Sequence, residues 1–341
     1  MAETNRKWVL RSRPQGMPGP ENFELREDAV PQIADGQFLV RTLYLSCDPA
    51  QRAWMSRDTY VPMIPIGDVM HCGATGRVAQ SKHPGFRVGD LVSGMFGWQD
   101  YAVSDGRGFM PVTKLPPGVP IASAMSALGV TGLTAYFGML DVGKPKPGDG
   151  VLVSGAAGAT GSIAAQIAKI HGARVVGIAG GADKCAWLTG EVGLDAAIDY
   201  RSERVARRIH ELFPKGVAVY FDNVGGEILD AALGALAVGG RIVLCGAISS
   251  YNATELPPGP RNYTNLIVRR GRMEGFLVTD YAARFGEAVG DLAGWAAAGK
   301  LRDRVDVVDG LENAPDALRR LFTGENVGKQ LVRVAEPPEG R

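Results

Sequence analysis

The sequence predicts an α/β protein of two domains, one made of short β-strands and one built on a doubly wound parallel sheet. Three features support this prediction. Short β-type runs separated by Gly and Pro turns extend to about residue 114, strands alternate with helical segments beyond residue 120, and a glycine-rich loop joins a strand to a helix at 151–170. Such alternation is typical of a parallel sheet with right-handed crossovers. A chain of 341 residues is long enough for two hydrophobic cores.

Composition narrows the class of protein. Apolar residues make up 45% of the chain and the net charge is +1, which fits a globular protein and gives no sign of a nucleic-acid surface. No run of about 18 apolar residues occurs and the N-terminus lacks an apolar stretch, so we expect neither a membrane span nor a secretory signal. Four scattered cysteines without a CxxC pair favour reduced thiols and a cytoplasmic location.

The first domain is assigned to residues 1–120. Its predicted strands lie at 38–45, 74–79, 90–95 and 99–103, and their short, regular spacing favours a small barrel-like β domain. We expect residues 305–341 to complete it, with strands at 305–309 and 328–335 and a frayed tail at 337–341.

The second domain is assigned to residues 121–304. An apolar, helical stretch at 122–140 precedes a series of predicted strands. These strands lie at 151–153, 175–178, 196–198, 217–221 and 241–245, with a later one at 276–278. The alternation with helices predicts a doubly wound parallel sheet.

The loop from Val151 to Gly161 is the strongest functional signal. A β-branched run ends in glycine and alanine, and a helical pattern follows at once. Small residues let the backbone approach a pyrophosphate, and the first helical turn offers unpaired N–H groups to it. Glycines also mark plain tight turns, but the flanking strand and helix favour nucleotide binding.

The end of the next strand, at 174–179, favours NADP over NAD. Units that bind NAD usually place an acid at this strand tip. Here Gly180, Gly181 and Ala182 are followed by Asp183 and Lys184, which leaves room and positive charge for a 2′-phosphate. Asp183 weakens the inference, and Lys184 as an ordinary solvated residue of the next helix remains an alternative.

Several separated motifs carry a family resemblance. They lie at 45–49 (LSCDP), 127–138 (ALGVTGLTAYFG), 154–162, 220–226 (YFDNVGG), 240–249 (GRIVLCGAIS), 251–252, 272–276 (RMEGF) and 324–329 (GENVGK). In these motifs the chain resembles, nearly end to end, the zinc-independent medium-chain dehydrogenase/reductases, and among them the prostaglandin reductase / alkenal double-bond reductase group.

The resemblance implies a GroES-like β-barrel domain that holds the substrate, a Rossmann domain that binds NADP, and a cofactor cleft between them. Members of the group reduce the carbon–carbon double bond of α,β-unsaturated aldehydes and ketones with NADPH, commonly as homodimers. We therefore expect a small hydrophobic enal or enone as substrate and hydride transfer to its β-carbon. The cofactor-binding residues it implies are Gly158, Ala159, Thr160, Gly161, Gly180, Lys184, Tyr200, Asn223, Cys245, Ala247, Ile248, Tyr251, Phe276, Val278, Asn326 and Thr134.

One position departs from the group. Relatives carry a tyrosine four residues before the RMEGF motif, where this chain has Val268. A proton-relay role of that tyrosine therefore falls to another residue, for which Tyr251 is the first candidate, Tyr60 the second, and the nearby Tyr263 a further one. Tyr251 and Tyr60 could equally be half-buried aromatic residues whose hydroxyls satisfy the backbone.

We expect no metal. A catalytic zinc needs about three Cys, His or carboxylate ligands. Cys47 lies where zinc-dependent relatives place one ligand, but the segment 67–72 lacks their Gly-His-Glu order, and His71 and Cys72 alone are typical of packed or exposed bystanders.

Two other functions remain open: a quinone oxidoreductase, and an NADP-binding protein of weak or lost catalysis, to which Val268 gives some support. The loop at 257–260 is interpreted as a rigid cover over the site or as a dimer contact.

Overall fold

The structure, a computed structural model, describes residues 4–337. Its strands are β1 (Thr4–Leu10), β2 (Phe23–Ala29), β3 (Phe38–Ser46), β4 (Gly73–Ser81), β5 (Leu91–Met95), β6 (Tyr101–Ser104), β7 (Thr113–Lys114), β8 (Gly150–Ser154), β9 (Arg174–Ala179), β10 (Ala196–Asp199), β11 (Val217–Asp222), β12 (Leu236–Leu244), β13 (Arg272–Gly275), β14 (Val305–Asp309) and β15 (Lys329–Arg333).

Its α-helices are α1 (Ala50–Trp54), α2 (Ile121–Met125), α3 (Val130–Phe137), α4 (Ala159–Ile170), α5 (Ala182–Gly190), α6 (Val205–Leu212), α7 (Gly226–Gly234), α8 (Asn265–Arg269), α9 (Phe285–Ala297) and α10 (Ala314–Thr323). In the part of the chain that the structure describes, no helix is long and apolar enough to cross a membrane.

The described chain divides into two compact units. The first comprises the residues up to Met125 together with those from Val305 onward, and the second is Ser126–Arg304. The boundary predicted from the sequence, at residue 120, lies just before α2, whereas the first unit includes α2.

The first unit is built on a mixed seven-stranded sheet. Its strand order is β14-β15-β3-β4-β5-β7, and β6 pairs with β3. Strand β15 runs antiparallel to β3, with Val332 opposite Leu45, so the C-terminal segment completes this sheet. Strands β1 and β2 form a separate antiparallel hairpin. The core includes Phe38 and Trp98, both fully buried.

The second unit holds a six-stranded parallel sheet of order β10-β9-β8-β11-β12-β13. The chain starts in the middle at β8, runs outward to β10, and then returns to the other side at β11. The order therefore reverses between β8 and β11, and ligands of doubly wound sheets bind at such a switch point, beyond the carboxyl ends of the strands.

Two predicted elements differ from the structure. The stretch 122–140 is not one helix, since residues 126–129 interrupt it and Gly129, in extended conformation, caps α3. The predicted strand at 276–278 is wrong: β13 ends at Gly275 and a 3₁₀ segment covers Val278–Arg284. Phe276 instead packs against Gly138, which directly follows α3: a Cβ on Gly138 would lie 2.5 Å from the Phe276 ring. Most of the predicted tail, 338–341, lies outside the described residues.

Candidate cofactor site

The predicted site residues of the second unit gather at one edge of its sheet. They lie in the segments that follow the carboxyl ends of β8, β9, β10, β11, β12 and β13, with Thr134 on α3 as the exception. Tyr60 and Asn326 belong to the first unit.

The glycine loop ends in a helix N-terminus. Gly158 is the N-cap of α4, and its carbonyl accepts the N–H of Ser162 at 3.0 Å. The N–H groups of Ala159, Thr160 and Gly161 therefore have no acceptor within the helix. Such a turn is suited to bind a phosphate, since these groups and the helix dipole attract anions.

Gly161 is required by the close approach of the loop to the helix. A Cβ at this position would lie 2.3 Å from the carbonyl oxygen of Gly155, a distance that no side chain tolerates. Gly155 itself has φ +57°, in the left-handed region that favours glycine. Gly158, Ala159 and Thr160 are half-buried at this turn, and Gly161 is buried against the loop.

Gly180, Lys184 and Tyr200 lie together at the ends of β9 and β10. The Tyr200 ring lies over Gly180, because a Cβ there would be 2.7 Å from its hydroxyl oxygen. Lys184 is half-buried in the first turn of α5. Lys184 and Tyr200, which the family resemblance implies at the 2′-phosphate end of the cofactor, thus lie with Gly180 at neighbouring strand ends.

Asp199 and Arg201 extend this surface and were missed in the sequence. Asp199 Oδ1 accepts the N–H groups of Gly181 at 2.8 Å and Arg201 at 3.0 Å, and these bonds lower the pKa of its carboxyl group. The guanidinium of Arg201 lies 4.0 Å from the position a Cβ on Gly181 would occupy. The signal was the pair Tyr200-Arg201 directly after the strand at 196–199.

Asn223 is fixed at the switch point. Its Nδ2 donates to the carbonyl of Ser154 at 2.7 Å, and its N–H donates to Ser154 Oγ at 3.0 Å. The side chain therefore bridges the ends of β8 and β11.

Cys245 and Ala247 follow β12. Burial, with a smaller contribution from Asp222, raises the pKa of the Cys245 thiol to about 12, so it is a neutral thiol at physiological pH. The N–H of Ala247 donates to the hydroxyl oxygen of Tyr251 at 3.2 Å. This bond matches the alternative in which the hydroxyl satisfies the backbone.

Tyr60, the second tyrosine candidate, lies on the first unit and is 45% exposed, and its ring stacks on that of Phe109 at 5.8 Å between centroids.

The remaining predicted cofactor residues are partly or fully buried. Asn326 is buried, and its Nδ2 donates to the carbonyl of Gly328 at 3.0 Å. Thr134 donates its hydroxyl to the carbonyl of Val130, one turn earlier in α3. Phe276 is half-buried, and Val278 begins the 3₁₀ segment after β13.

The segment around Cys47 holds an ammonium group. The Nζ of Lys329 donates to the carbonyl of Cys47 at 3.1 Å and to Asp48 Oδ1 at 2.5 Å. Burial raises the pKa of Cys47 to about 12 and also raises the pKa of Cys72 well above its usual range. Within residues 4–337, no three His, Cys, Asp or Glu side chains form a group that could hold a metal ion.

A doubly wound parallel sheet with a glycine-rich turn and a helix N-terminus at its switch point defines the class of the dinucleotide-binding, Rossmann-like folds. Two family descriptions match: "N-terminal domain of oxidoreductase" over residues 6–112 and "Zinc-binding dehydrogenase" over residues 159–293. The second description names a metal for which the described residues hold no ligand group.

Individual relatives are similar in sequence over nearly the whole chain. The chain is 43% identical to an NADPH-dependent curcumin reductase of Escherichia coli, with 98% of each covered, and 38% identical to prostaglandin reductase 1 of Oryctolagus cuniculus, with 95% of this chain and 92% of that protein covered. The crystal structure of CurA in complex with NADPH from Vibrio vulnificus superimposes with a TM-score of 0.92 at 43% identity, covering 97% of this chain and 100% of that one.

The chain therefore belongs to the medium-chain dehydrogenase/reductase family, in the group of the prostaglandin and alkenal reductases. The family and the fold class predicted from the sequence are confirmed.

Proposed function

We propose that this protein reduces the carbon–carbon double bond of small, hydrophobic α,β-unsaturated aldehydes and ketones. It is an NADP-dependent oxidoreductase. The observation that carries the proposal is the phosphate-binding turn at Gly158–Gly161 in a chain whose relatives, at 43% and 38% identity, are named as curcumin and prostaglandin reductases.

Each predicted cofactor residue then has a role. The N–H groups of Ala159, Thr160 and Gly161 bind the pyrophosphate, and Lys184, Tyr200 and Arg201 surround the adenosine 2′-phosphate. Asn223 lies by the nicotinamide ribose or the diphosphate. The other predicted cofactor-binding residues line the rest of NADPH: Thr134, Gly180, Cys245, Ala247, Ile248, Tyr251, Phe276, Val278 and Asn326.

When bound, NADPH supplies the hydride, and the protein supplies orientation and hydrogen bonds. Negative charge develops on the substrate oxygen as the β-carbon is reduced, and a hydroxyl donor directed at that oxygen stabilises it. Tyr251 is our first candidate for this donor and for protonation of the α-carbon. The N–H of Ala247 donates to its oxygen at 3.2 Å, which fixes the position of this hydroxyl group. Tyr60 is the second candidate.

We also propose a homodimer that pairs through β13, the edge strand of the parallel sheet. Helix α8, directly before this strand in the chain, carries exposed apolar side chains, with Ile267 77% and Val268 65% exposed. Arg272 and Glu274 are both exposed on β13. Antiparallel pairing of two copies centred on Met273 would therefore place Arg272 of one copy opposite Glu274 of the other.

We also propose a cytoplasmic location, which the four free cysteine thiols support.

The test is NADPH consumption by the purified protein with 3-nonen-2-one and with 1,4-benzoquinone. We expect turnover of the enone at the higher kcat/KM, with the saturated ketone as product. Faster turnover of the quinone would favour the quinone oxidoreductase alternative. NADPH binding without consumption on either substrate would favour the catalytically weak alternative.

A further inference from the structure

Asp222 is the most connected buried charge of the second unit. Its side chain is fully buried at the end of β11. Oδ1 accepts hydrogen bonds from the Tyr220 hydroxyl at 2.6 Å, Ser154 Oγ at 3.0 Å, and the N–H groups of Val224 and Gly225 at 2.9 Å each. Four donors converging on one oxygen hold this carboxylate in a single position.

This network determines where Asn223 lies. Ser154 donates its hydroxyl proton to Asp222, and therefore presents a lone pair to the N–H of Asn223. The carbonyl of Ser154 takes the Nδ2 of Asn223. Because Nδ2 faces a carbonyl, the amide oxygen Oδ1 is the end left to accept a hydrogen bond from a ligand hydroxyl.

The main chain of Asp222 ties a third strand to the same point. Its carbonyl accepts the N–H groups of Cys245 at 2.9 Å and Gly246 at 3.0 Å, directly after β12. The ends of β8, β11 and β12 are thus joined at the switch point, where a dinucleotide crosses the sheet.

We propose that Asp222 is a positioning residue for the nicotinamide half of NADPH, acting through Ser154 and Asn223, with Tyr220 as its support. This inference rests on the proposed function, since it assumes that NADPH crosses the sheet at the switch point. The network lies at the ends of β8 and β11, whereas the 2′-phosphate surface lies at the ends of β9 and β10. Loss of the network therefore weakens the binding of one half of the cofactor and leaves that of the other unchanged.

The experiment compares the dissociation constants of NADPH and of 2′,5′-ADP, a fragment that lacks the nicotinamide half. Asp222→Asn keeps the shape and removes the charge, and Tyr220→Phe removes one donor. Because hydrogen bonds to a charged group are stronger than those to a neutral one, we expect Asp222→Asn to weaken NADPH binding about tenfold and Tyr220→Phe to weaken it several-fold, both with unchanged 2′,5′-ADP binding.

Tyr136→Phe is the matched control. Its hydroxyl also bonds a carboxylate, Asp291 at 2.7 Å, but on α3 and α9. This variant keeps both constants. Equal weakening of both ligands by Asp222→Asn, or unchanged NADPH binding, would overturn the positioning role. If Asp222→Asn does not fold, Tyr220→Phe decides by the same comparison. Wild-type protein that fails to bind NADPH would instead contradict the proposed function.

Discussion

The ammonium group of Lys329, on a side chain only 2% exposed, lies 2.5 Å from the carboxylate of Asp48. The pair joins the first residue of β15 to the segment after β3, and Lys329 also bonds the carbonyl of Cys47. Removing the partner of a buried charge destabilises the folded state. This contact therefore fastens the C-terminal strand to the rest of the first unit.

We therefore expect Asp48→Asn to lower the free energy of unfolding by about 3 kcal/mol, since it leaves the buried ammonium group of Lys329 without its counter-charge. Lys169→Met is the control, because Lys169 pairs with Asp195 at 2.9 Å but both side chains are about one-third exposed. Its cost is expected to be about 0.5 kcal/mol. Urea denaturation measures both, and equal costs would contradict the role given to Lys329.

A methyl group at Gly161 is expected to disrupt the turn that we propose to bind the pyrophosphate. Its carbon would lie 2.3 Å from the Gly155 carbonyl oxygen, so Gly161→Ala forces the loop away from α4. We expect a loss of about 1–3 kcal/mol in stability and weaker NADPH binding. In contrast, Gly294→Ala meets nothing within 4 Å in the middle of α9 and is expected to stabilise by about 0.5–1 kcal/mol. Thermal unfolding and NADPH titration of both variants check this, and a fully stable, NADPH-binding Gly161→Ala would count against the described turn.

Removal of the Lys184 charge tests the 2′-phosphate surface. Because charge-assisted hydrogen bonds contribute about 1.5–3 kcal/mol, Lys184→Ala is expected to weaken NADPH about tenfold and to leave NADH unchanged. Arg201→Ala is expected to act in the same direction. Lys215→Ala, exposed in the turn before β11, is the control and keeps both affinities. Equal effects on both cofactors in calorimetry would remove Lys184 from the site.

Tyr251→Phe tests the hydroxyl donor. If this hydroxyl stabilises the substrate oxygen or protonates the α-carbon, its removal lowers kcat on 3-nonen-2-one by about 100-fold and leaves the dissociation constant of NADPH near that of the wild type. Tyr60→Phe measured in parallel separates the two candidates. Full rates in both variants would show that neither hydroxyl is catalytic.

Local patterns in the sequence predicted much of the candidate cofactor site. The glycine loop at 151–161 predicted both the turn and the start of α4, because the strand, the loop and the helix are contiguous in the chain. The strand at 305–309 was likewise predicted within its observed bounds. These elements depend on neighbouring residues, which a sequence shows directly.

Contacts between distant segments were missed. The Asp222 carboxylate meets Ser154 across 68 residues, and Lys329 meets Asp48 across 281. No local sequence pattern predicts a contact between residues so far apart in the chain. The wrong strand at 276–278 has the same origin: an apolar triplet suits a strand, but Phe276 packs against Gly138 of another element. The catalytic roles of Tyr251 and Tyr60 remain predictions.

The most direct test of the central claim is the fate of a labelled hydride. Purified protein is supplied with NADPH deuterated on the transferred position of nicotinamide C4 and with 3-nonen-2-one, and the product is analysed by NMR. We predict a saturated ketone with deuterium on the β-carbon and an intact carbonyl. Deuterium on the carbonyl carbon of an alcohol product, or unlabelled starting enone after prolonged incubation, would contradict the account.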